Sequence, residues 1–424
     1  MAAAAFAVLA VAVGAVSLVG GLLNAGMRTG FSADACESVR LAFAQRIVGQ
    51  EFATRQIADA VCDHLHRAGA DRKPLILSVH GPPGVGKSFL HGVLADALFL
   101  DGVGEDAAVV RTGSGENGEV AEDVSMRRCT PMRCPGYRIL FGTSYLSDDA
   151  ERQFAELRFN LVRHVRAYRE SLVVIEEYDK MDCRSRGLLR ELVDHAAAER
   201  LHWGRSIVLL ESNAGYLQLA AGASGKASPA ATMTPEAAQK MLKDQVFSLW
   251  RAQAARDCPS ASASSTGDGD RVDTLKAIGM IDMFVPFFPL GVADIQALFA
   301  MLLAQRARFE VRRQAVRSMR WDADVASFLA TKVEYEDGFA IEGAKEGRPT
   351  MSRHVTRAIH SWNATHAGID SFDDSALEDG TRLPSIRLRV SRTLSEPDDG
   401  DASSSDEATL LCVSDDDIDA LHAS

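Results

Sequence analysis

The sequence feature that most constrains the fold is a glycine-rich turn between an apolar segment and a helical one. Residues 74–80 read PLILSVH, residues 81–88 read GPPGVGKS, and an amphipathic helical pattern follows. In such a turn the backbone N–H groups surround a phosphate, while the lysine and the hydroxyl that follow suit the terminal phosphates and Mg²⁺. The bare pattern also occurs by chance, but a strand before it and a helix after it favour a nucleotide site.

We therefore expect this P-loop to bind ATP together with Mg²⁺. Lys87 is expected to reach the β- and γ-phosphates, and the Ser88 hydroxyl is expected to approach the metal ion. The predicted nucleotide-binding residues of the loop are Gly81, Pro82, Pro83, Gly84, Val85, Gly86, Lys87, Ser88 and Phe89.

Two adjacent carboxylates follow an apolar segment at residues 172–175. We expect Glu176 to serve the metal ion and Glu177 to polarise the attacking water, as the paired acids of P-loop ATPases do. Glutamate in place of aspartate at the first position moves the carboxylate by about 1 Å, which weakens a site that depends on placement. Because Mg²⁺ often keeps water between itself and a carboxylate, we expect a slower site rather than an inactive one. The alternative is a buried strand that ends in ordinary acidic loop residues.

Asn213 ends the next apolar segment, within RSIVLLESNAGY. A polar amide at the end of a strand beside the P-loop can hold the attacking water against the γ-phosphate. The alternative is a turn residue in the sequence Asn-Ala-Gly. The P-loop favours the catalytic interpretation.

Apolar segments alternate with helical patterns, which predicts an α/β fold with a parallel sheet flanked by helices. We predict a large nucleotide-binding domain at residues 36–289 and a small helical domain at residues 290–365. Residues 366–424 are predicted to be a disordered acidic tail, because from Ile369 onward fifteen Asp and Glu residues accompany four Arg residues. This tail accounts for most of the net charge of -12, so the rest of the chain lacks the basic excess of a nucleic-acid binder.

The N-terminal segment, residues 1–35, has no charged side chain before Arg28. It is long enough to enter a bilayer as a helix, and small residues before Cys36 also fit a cleavable signal peptide. Both interpretations direct the chain to the secretory membrane system. The 7 cysteines lack metal-ligand spacing, and their pairing cannot be deduced from the sequence.

Further motifs resemble those of the torsins, AAA+ ATPases of the lumen of the endoplasmic reticulum and nuclear envelope. IVGQEFA is similar to the family's segment beside the adenine, which makes Val48 a candidate nucleotide contact. EEYDKM, LESNAG and IDMFVPFFPL are similar to its later motifs, and the resemblance extends over about residues 40–362. It implies an AAA+ fold with a small C-terminal helical lid domain.

The resemblance also implies that a lysine of the small domain approaches the nucleotide. Gly343, Ala344 and Lys345 match the family's Gly-Cys-Lys, so Lys345 is the candidate, and Arg348 in Gly-Arg-Pro is its rival. The family's cysteine is replaced by Ala344, and its proposed redox partner corresponds to Leu298. Thiol control of nucleotide sensing is therefore not implied for this chain.

An arginine finger is missing at the position where related Clp ATPases carry one, which is Gly279 here. Since such an arginine is worth ~10³ or more in turnover, we expect slow hydrolysis by the chain alone. The torsin resemblance implies a membrane-anchored luminal activator that supplies an arginine in trans, a protein substrate, and self-association or a hetero-ring. It also implies a chaperone-like or membrane-remodelling role in the lumen.

Two other functions stay open at the level of sequence. An autonomous Clp-like unfoldase needs an arginine of its own and an aromatic pore loop, but Pro135-Gly136-Tyr137 precedes the strand that such a loop should follow. A non-catalytic, ATP-gated scaffold is suggested by Glu176 in place of aspartate.

Overall fold

The computed structural model describes residues 29–67, 73–101, 128–130, 132–145, 149–195, 201, 203–214, 234–257, 278–366, 383–393 and 407–414. The chain divides into two units with a boundary between Phe288 and Pro289, and the smaller unit also takes in Pro83–Val85. Most of the predicted N-terminal hydrophobic segment lies outside the described residues. Among the helices that the structure does describe, none combines the length and apolar character needed to cross a bilayer.

The larger unit is built on a five-stranded sheet with the order β2-β3-β4-β1-β5. Every strand pair in it is parallel, and β1, β3 and β4 are almost wholly buried, as expected for a sheet covered on both faces. The predicted parallel α/β fold is confirmed. The strands are β1 (Leu75–His80), β2 (Tyr137–Phe141), β3 (Leu172–Glu176), β4 (Ile207–Ser212) and β5 (Met283–Pro286).

Six helices accompany this sheet among the described residues: α1 (Ala35–Arg46), α2 (Glu51–Arg67), α3 (Lys87–Phe99), α4 (Ala150–Ala167), α5 (Cys183–Asp194) and α6 (Pro235–Asp257). Local chemistry sets where two of them begin. The Asp149 carboxylate accepts a hydrogen bond from the backbone N–H of Arg152 at the start of α4, and Asp182 accepts one from Ser185 at the start of α5. Such caps satisfy amide groups that the first turn leaves unpaired.

Two disulfides stabilise the larger unit. Cys36 and Cys62 link α1 to α2, with 4.9 Å between their Cα atoms. Cys129 and Cys134 close a short loop before β2, with a Cα–Cα distance of 5.4 Å. The pairing of Cys36 with Cys62 could not be deduced from cysteine spacing, because it depends on how α1 and α2 pack.

The smaller unit contains α7 (Val292–Arg312), α8 (Val325–Ala330), the two-stranded pair β7 (Tyr335–Glu336) and β8 (Phe339–Ala340), and a helical segment from Gly347 to His366. That last segment comprises α9 (Gly347–Thr350), a π-helical turn (Met351–Thr356) and α10 (Arg357–His366). The predicted helices are therefore present, but they are accompanied by strands.

The prediction of a wholly disordered tail was wrong for two segments. A three-stranded sheet with the order β10-β9-β6 joins β6 (Ser318–Trp321) to β9 (Ser385–Thr393) and β10 (Glu407–Ser414). Ile386 and Leu388 alternate with arginines along β9, and both are 0% exposed. The acidic residues are concentrated before, between and after the two strands, so average composition concealed a period-2 pattern.

Candidate nucleotide and metal site

The glycines of the P-loop meet specific backbone requirements. A Cβ atom added to Gly81 would lie 2.5 Å from the Phe287 carbonyl oxygen, so the chain passes β5 too closely for a side chain. Gly84 and Gly86 have φ values of 83° and 101°, which L-residues with side chains rarely adopt. The loop ends at Gly86, and α3 begins at Lys87.

Lys87 is only 8% exposed, and its ammonium group has three oxygen partners. Its Nζ donates to the carbonyl oxygens of Gly81 and Pro82, both at 2.8 Å, and to Asn213 Oδ1 at 2.9 Å. The structure therefore brings together the P-loop lysine and the predicted water-holding amide. They come from separate segments of the chain that meet at one edge of the parallel sheet.

The segment after β4 is fixed by groups around Asn213. Its backbone N–H donates to Asp179 Oδ1 at 3.4 Å, and His80 at the end of β1 contacts the Ala214 carbonyl oxygen at 3.3 Å. Burial lowers the pKa of His80 to about 4, so its imidazole is neutral at physiological pH. These contacts fix the backbone on both sides of the Asn213 amide.

A second cluster lies at the carboxyl ends of β3 and β4. His91 Nε2 is 2.9 Å from Glu176 Oε1 and 3.7 Å from Glu211 Oε1. The Ser88 hydroxyl donates to Glu211 Oε2 at 3.0 Å. Ser88 and Glu176, the two predicted metal ligands, are thus connected through His91 and Glu211.

The environment of Glu211 disfavours its charged form. The Glu211 side chain is buried, and this burial is the main reason that the pKa of its carboxyl group is raised. The nearby Glu176 carboxylate raises the pKa further, whereas His91, the Ser88 hydroxyl and Lys87 lower it. A divalent cation fits this donor set, because two carboxylates and a hydroxyl converge where one buried carboxylate oxygen has no hydrogen-bond partner.

Glu177, the predicted water-polarising residue, follows β3 in a left-handed conformation with φ 51°. Its side chain is exposed, in contrast to the half-buried Glu176. Gly142 passes so close to this turn that an added Cβ would overlap the Glu177 carbonyl oxygen. A non-glycine residue held at positive φ indicates a turn that the surrounding structure enforces.

The remaining predicted contacts lie in different settings. Val48 is half-buried in the turn between α1 and α2, where the neighbouring Gln50 side chain bonds the backbone of Phe288 in both directions at 2.8 and 3.0 Å. Phe89 is 40% exposed on α3. In the smaller unit, Lys345 lies in a single turn of 3-10 helix and is exposed, as is Arg348. Their roles toward a nucleotide stay predictions.

Sequence reasoning missed His91 and Glu211, although each left a signal. His91 lies four residues after Lys87 and therefore on the same side of α3. Glu211 lies two residues before Asn213 and follows the four apolar residues that begin β4. Tyr137, which the sequence did not favour as a pore-loop residue, is a buried strand residue: it is 4% exposed, and its hydroxyl lies 2.5 Å from His91 Nδ1.

The sheet order and the P-loop between β1 and α3 define an AAA+ P-loop protein. The family model named Torsin matches residues 30–114. A torsin-like protein of Drosophila melanogaster is 22% identical over 316 residues, which is 74% of this chain and 78% of that protein. A torsin-like protein of Caenorhabditis elegans is 22% identical over 268 residues, 62% of this chain and 63% of its own length. These matches confirm the predicted resemblance to torsins, and that resemblance suggests an AAA+ ATPase.

Proposed function

We propose that the protein is a torsin-like ATPase that binds and hydrolyses Mg-ATP slowly until a partner activates it. The observation that carries the proposal is the bond between Lys87 Nζ and Asn213 Oδ1 at 2.9 Å. It places a phosphate-binding cation beside the amide at the end of the neighbouring strand, and phosphoryl transfer uses groups that bind the phosphates and position the attacking water.

The residues of the site have separate proposed roles in hydrolysis. Backbone N–H groups of the P-loop and the Lys87 ammonium bind the phosphates, while Asn213 orients the attacking water. Glu177, exposed on its enforced turn, polarises that water. Ser88, Glu176 and Glu211 would hold Mg²⁺, which supplies charge neutralisation on the β- and γ-phosphates. Lys345 of the smaller unit is the proposed sensor of the γ-phosphate, with Arg348 as the rival.

Slow turnover by the chain alone follows from the missing arginine at Gly279. We propose that the luminal domain of a membrane-anchored partner supplies this arginine, in a hetero-ring or a comparable assembly, and that a protein substrate is remodelled. A single-turnover assay tests this step. Adding a co-purifying partner should raise hydrolysis by ~10³ or more, and the same partner with its arginine changed to alanine should not. An equal effect of both forms would contradict activation in trans.

The proposed location is the lumen of the endoplasmic reticulum and nuclear envelope. Two disulfides, Cys36–Cys62 and Cys129–Cys134, support it because such bonds persist in oxidising compartments and are rare in the cytosol. Protease protection in intact microsomes tests the location. Digestion of the chain without detergent would place it on the cytosolic side.

Nucleotide binding is tested by calorimetry with ATP on the full-length protein and on Lys87→Ala. Loss of a buried, charge-assisted phosphate contact should weaken binding roughly tenfold or more. Lys240→Ala is the matched control, because Lys240 is exposed on α6, and it should bind ATP as the unchanged protein does. Equal affinities for ATP in Lys87→Ala and in the unchanged protein would contradict ATP binding by the P-loop.

A non-catalytic scaffold is the second candidate, and one contact favours it. The Glu176 carboxylate pairs with His91 at 2.9 Å, which competes with its use as a metal ligand. In that case Glu176→Asp should create ATP hydrolysis where the unchanged protein shows none. A change of only a fewfold would support the catalytic proposal instead.

A further inference from the structure

One cluster contains more ligand groups than the proposed Mg-ATP site uses. The ligand atoms of His91, Glu176 and Glu211 all lie within 4.8 Å of one another. We propose that these three side chains form a binding site for a divalent transition-metal ion that is occupied without nucleotide. The inference deepens the proposed function and rests on it in so far as Glu176 and Glu211 belong to both sites.

An unsatisfied group points into the cluster. Glu211 is 3% exposed, and its Oε1 is buried without a hydrogen-bond partner. His91 Nε2 lies 3.7 Å from this oxygen, which is too far for a hydrogen bond. Leaving a buried carboxylate oxygen unpaired is unfavourable, and a bound cation removes that penalty.

The histidine is held in the orientation of a metal ligand. Its Nδ1 lies 2.5 Å from the hydroxyl of Tyr137, a buried residue on β2, and its Nε2 faces the two carboxylates. Metal-binding histidines typically have their other ring nitrogen fixed by a hydrogen bond in this way. A phenol can donate or accept, so with a metal on Nε2 the Nδ1–H donates to the Tyr137 oxygen.

The donor set indicates which cations bind. Two carboxylates balance the charge of a divalent ion, and an imidazole nitrogen suits first-row transition metals such as Fe²⁺, Ni²⁺ and Zn²⁺ better than it suits Mg²⁺. Mg²⁺ takes oxygen ligands and keeps several waters. The nitrogen therefore makes this chain's site selective for a transition metal over Mg²⁺.

Manganese is the probe for the test, because it is paramagnetic and has a lower affinity for thiols than zinc. Full-length protein without a histidine tag or nucleotide is titrated with Mn²⁺, and free Mn²⁺ is followed by electron paramagnetic resonance. We expect one bound ion per chain that an equal concentration of Mg²⁺ does not displace. His91→Gln and Glu211→Gln should weaken binding by more than about tenfold, since even residues that only support a ligand are worth roughly 10–100-fold.

His164→Gln is the matched control. His164 is also a buried histidine, but it lies on α4 and its Nε2 contacts the Gly136 carbonyl oxygen at 3.2 Å. This variant should keep the Mn²⁺ affinity of the unchanged protein. Circular dichroism shows whether each variant is folded.

Electron spin-echo envelope modulation is measured on the unchanged protein. This part of the test therefore does not depend on whether a variant folds. It should show coupling of bound Mn²⁺ to an imidazole ¹⁴N. Absence of Mn²⁺ binding, or binding without nitrogen coupling, would overturn the inference and leave His91 as an internal ion-pair partner. ATP binding measured in EDTA on the same sample separates the two proposals, because it can fail while Mn²⁺ binding persists, or the reverse.

Discussion

At the scale of single residues, the site depends on glycines that leave no room for a side chain. Gly81 faces the Phe287 carbonyl oxygen, which would be 2.5 Å from an added Cβ. Gly92 on α3 offers the matched control, because an added Cβ there meets nothing within 4 Å. Comparing alanine substitutions at Gly81 and Gly92 separates the effect of a local clash from the effect of replacing glycine by alanine in general.

We expect Gly81→Ala to lower the free energy of unfolding by roughly 1–3 kcal/mol, because the backbone of β1 or β5 must move to relieve the clash. Gly92→Ala should raise it by roughly 0.5–1 kcal/mol, since alanine loses less conformational entropy in a helix. Urea unfolding of both variants measures the difference. A neutral Gly81→Ala would contradict the close approach.

Buried histidines make the stability depend on pH. Burial lowers the pKa of His164 to about 4, as it does for His80. Each histidine is protonated more easily in the unfolded chain, so its contribution is fully present above pH 6.5 or so and is lost as the pH falls toward 4. His164→Gln should reduce the slope of unfolding free energy against pH in that window by up to about 1.4 kcal/mol per pH unit. An unchanged slope would show that His164 is accessible to protons in the folded state.

At the scale of elements, the strands of the tail contribute to the core of the smaller unit. Ile386 on β9 is 0% exposed, whereas Leu411 on β10 is 47% exposed. Ile386→Ala should lower the free energy of unfolding by roughly 2–5 kcal/mol through loss of buried surface and a residual cavity. Leu411→Ala, which removes a similar side chain from an exposed position, should change it by about 0.5 kcal/mol or less. Equal small effects would indicate that β9 does not pack as described.

The two disulfides should differ in their effect because their loops differ in length. Cys36–Cys62 spans 26 residues, and Cys129–Cys134 spans 5. From loop-closure entropy, replacing the first pair by serine should cost about 3.5 kcal/mol and replacing the second about 2 kcal/mol. Denaturant unfolding of each double variant measures this. A larger effect for the short loop would contradict the entropic explanation.

At the scale of the whole molecule, most of the nucleotide-binding fold could be predicted from local pattern. Gly81 to Ser88 identified the strand, turn and helix around the P-loop. The cluster of His91 with Glu211 could not be predicted in the same way, because it depends on β4 pairing with β1 and β3. Ile386 and Leu388 were missed because the charge of the surrounding tail concealed a nine-residue strand, Ser385–Thr393.

The central claim is that this site hydrolyses Mg-ATP, and steady-state hydrolysis by the full-length protein beside Glu177→Gln tests it most directly, with ATP binding measured on the same samples. We predict that both proteins bind ATP, that the unchanged protein turns over slowly, and that Glu177→Gln abolishes turnover, because the amide cannot polarise the water. Failure of the folded, unchanged protein to bind ATP, or hydrolysis that continues equally in Glu177→Gln, would contradict the account.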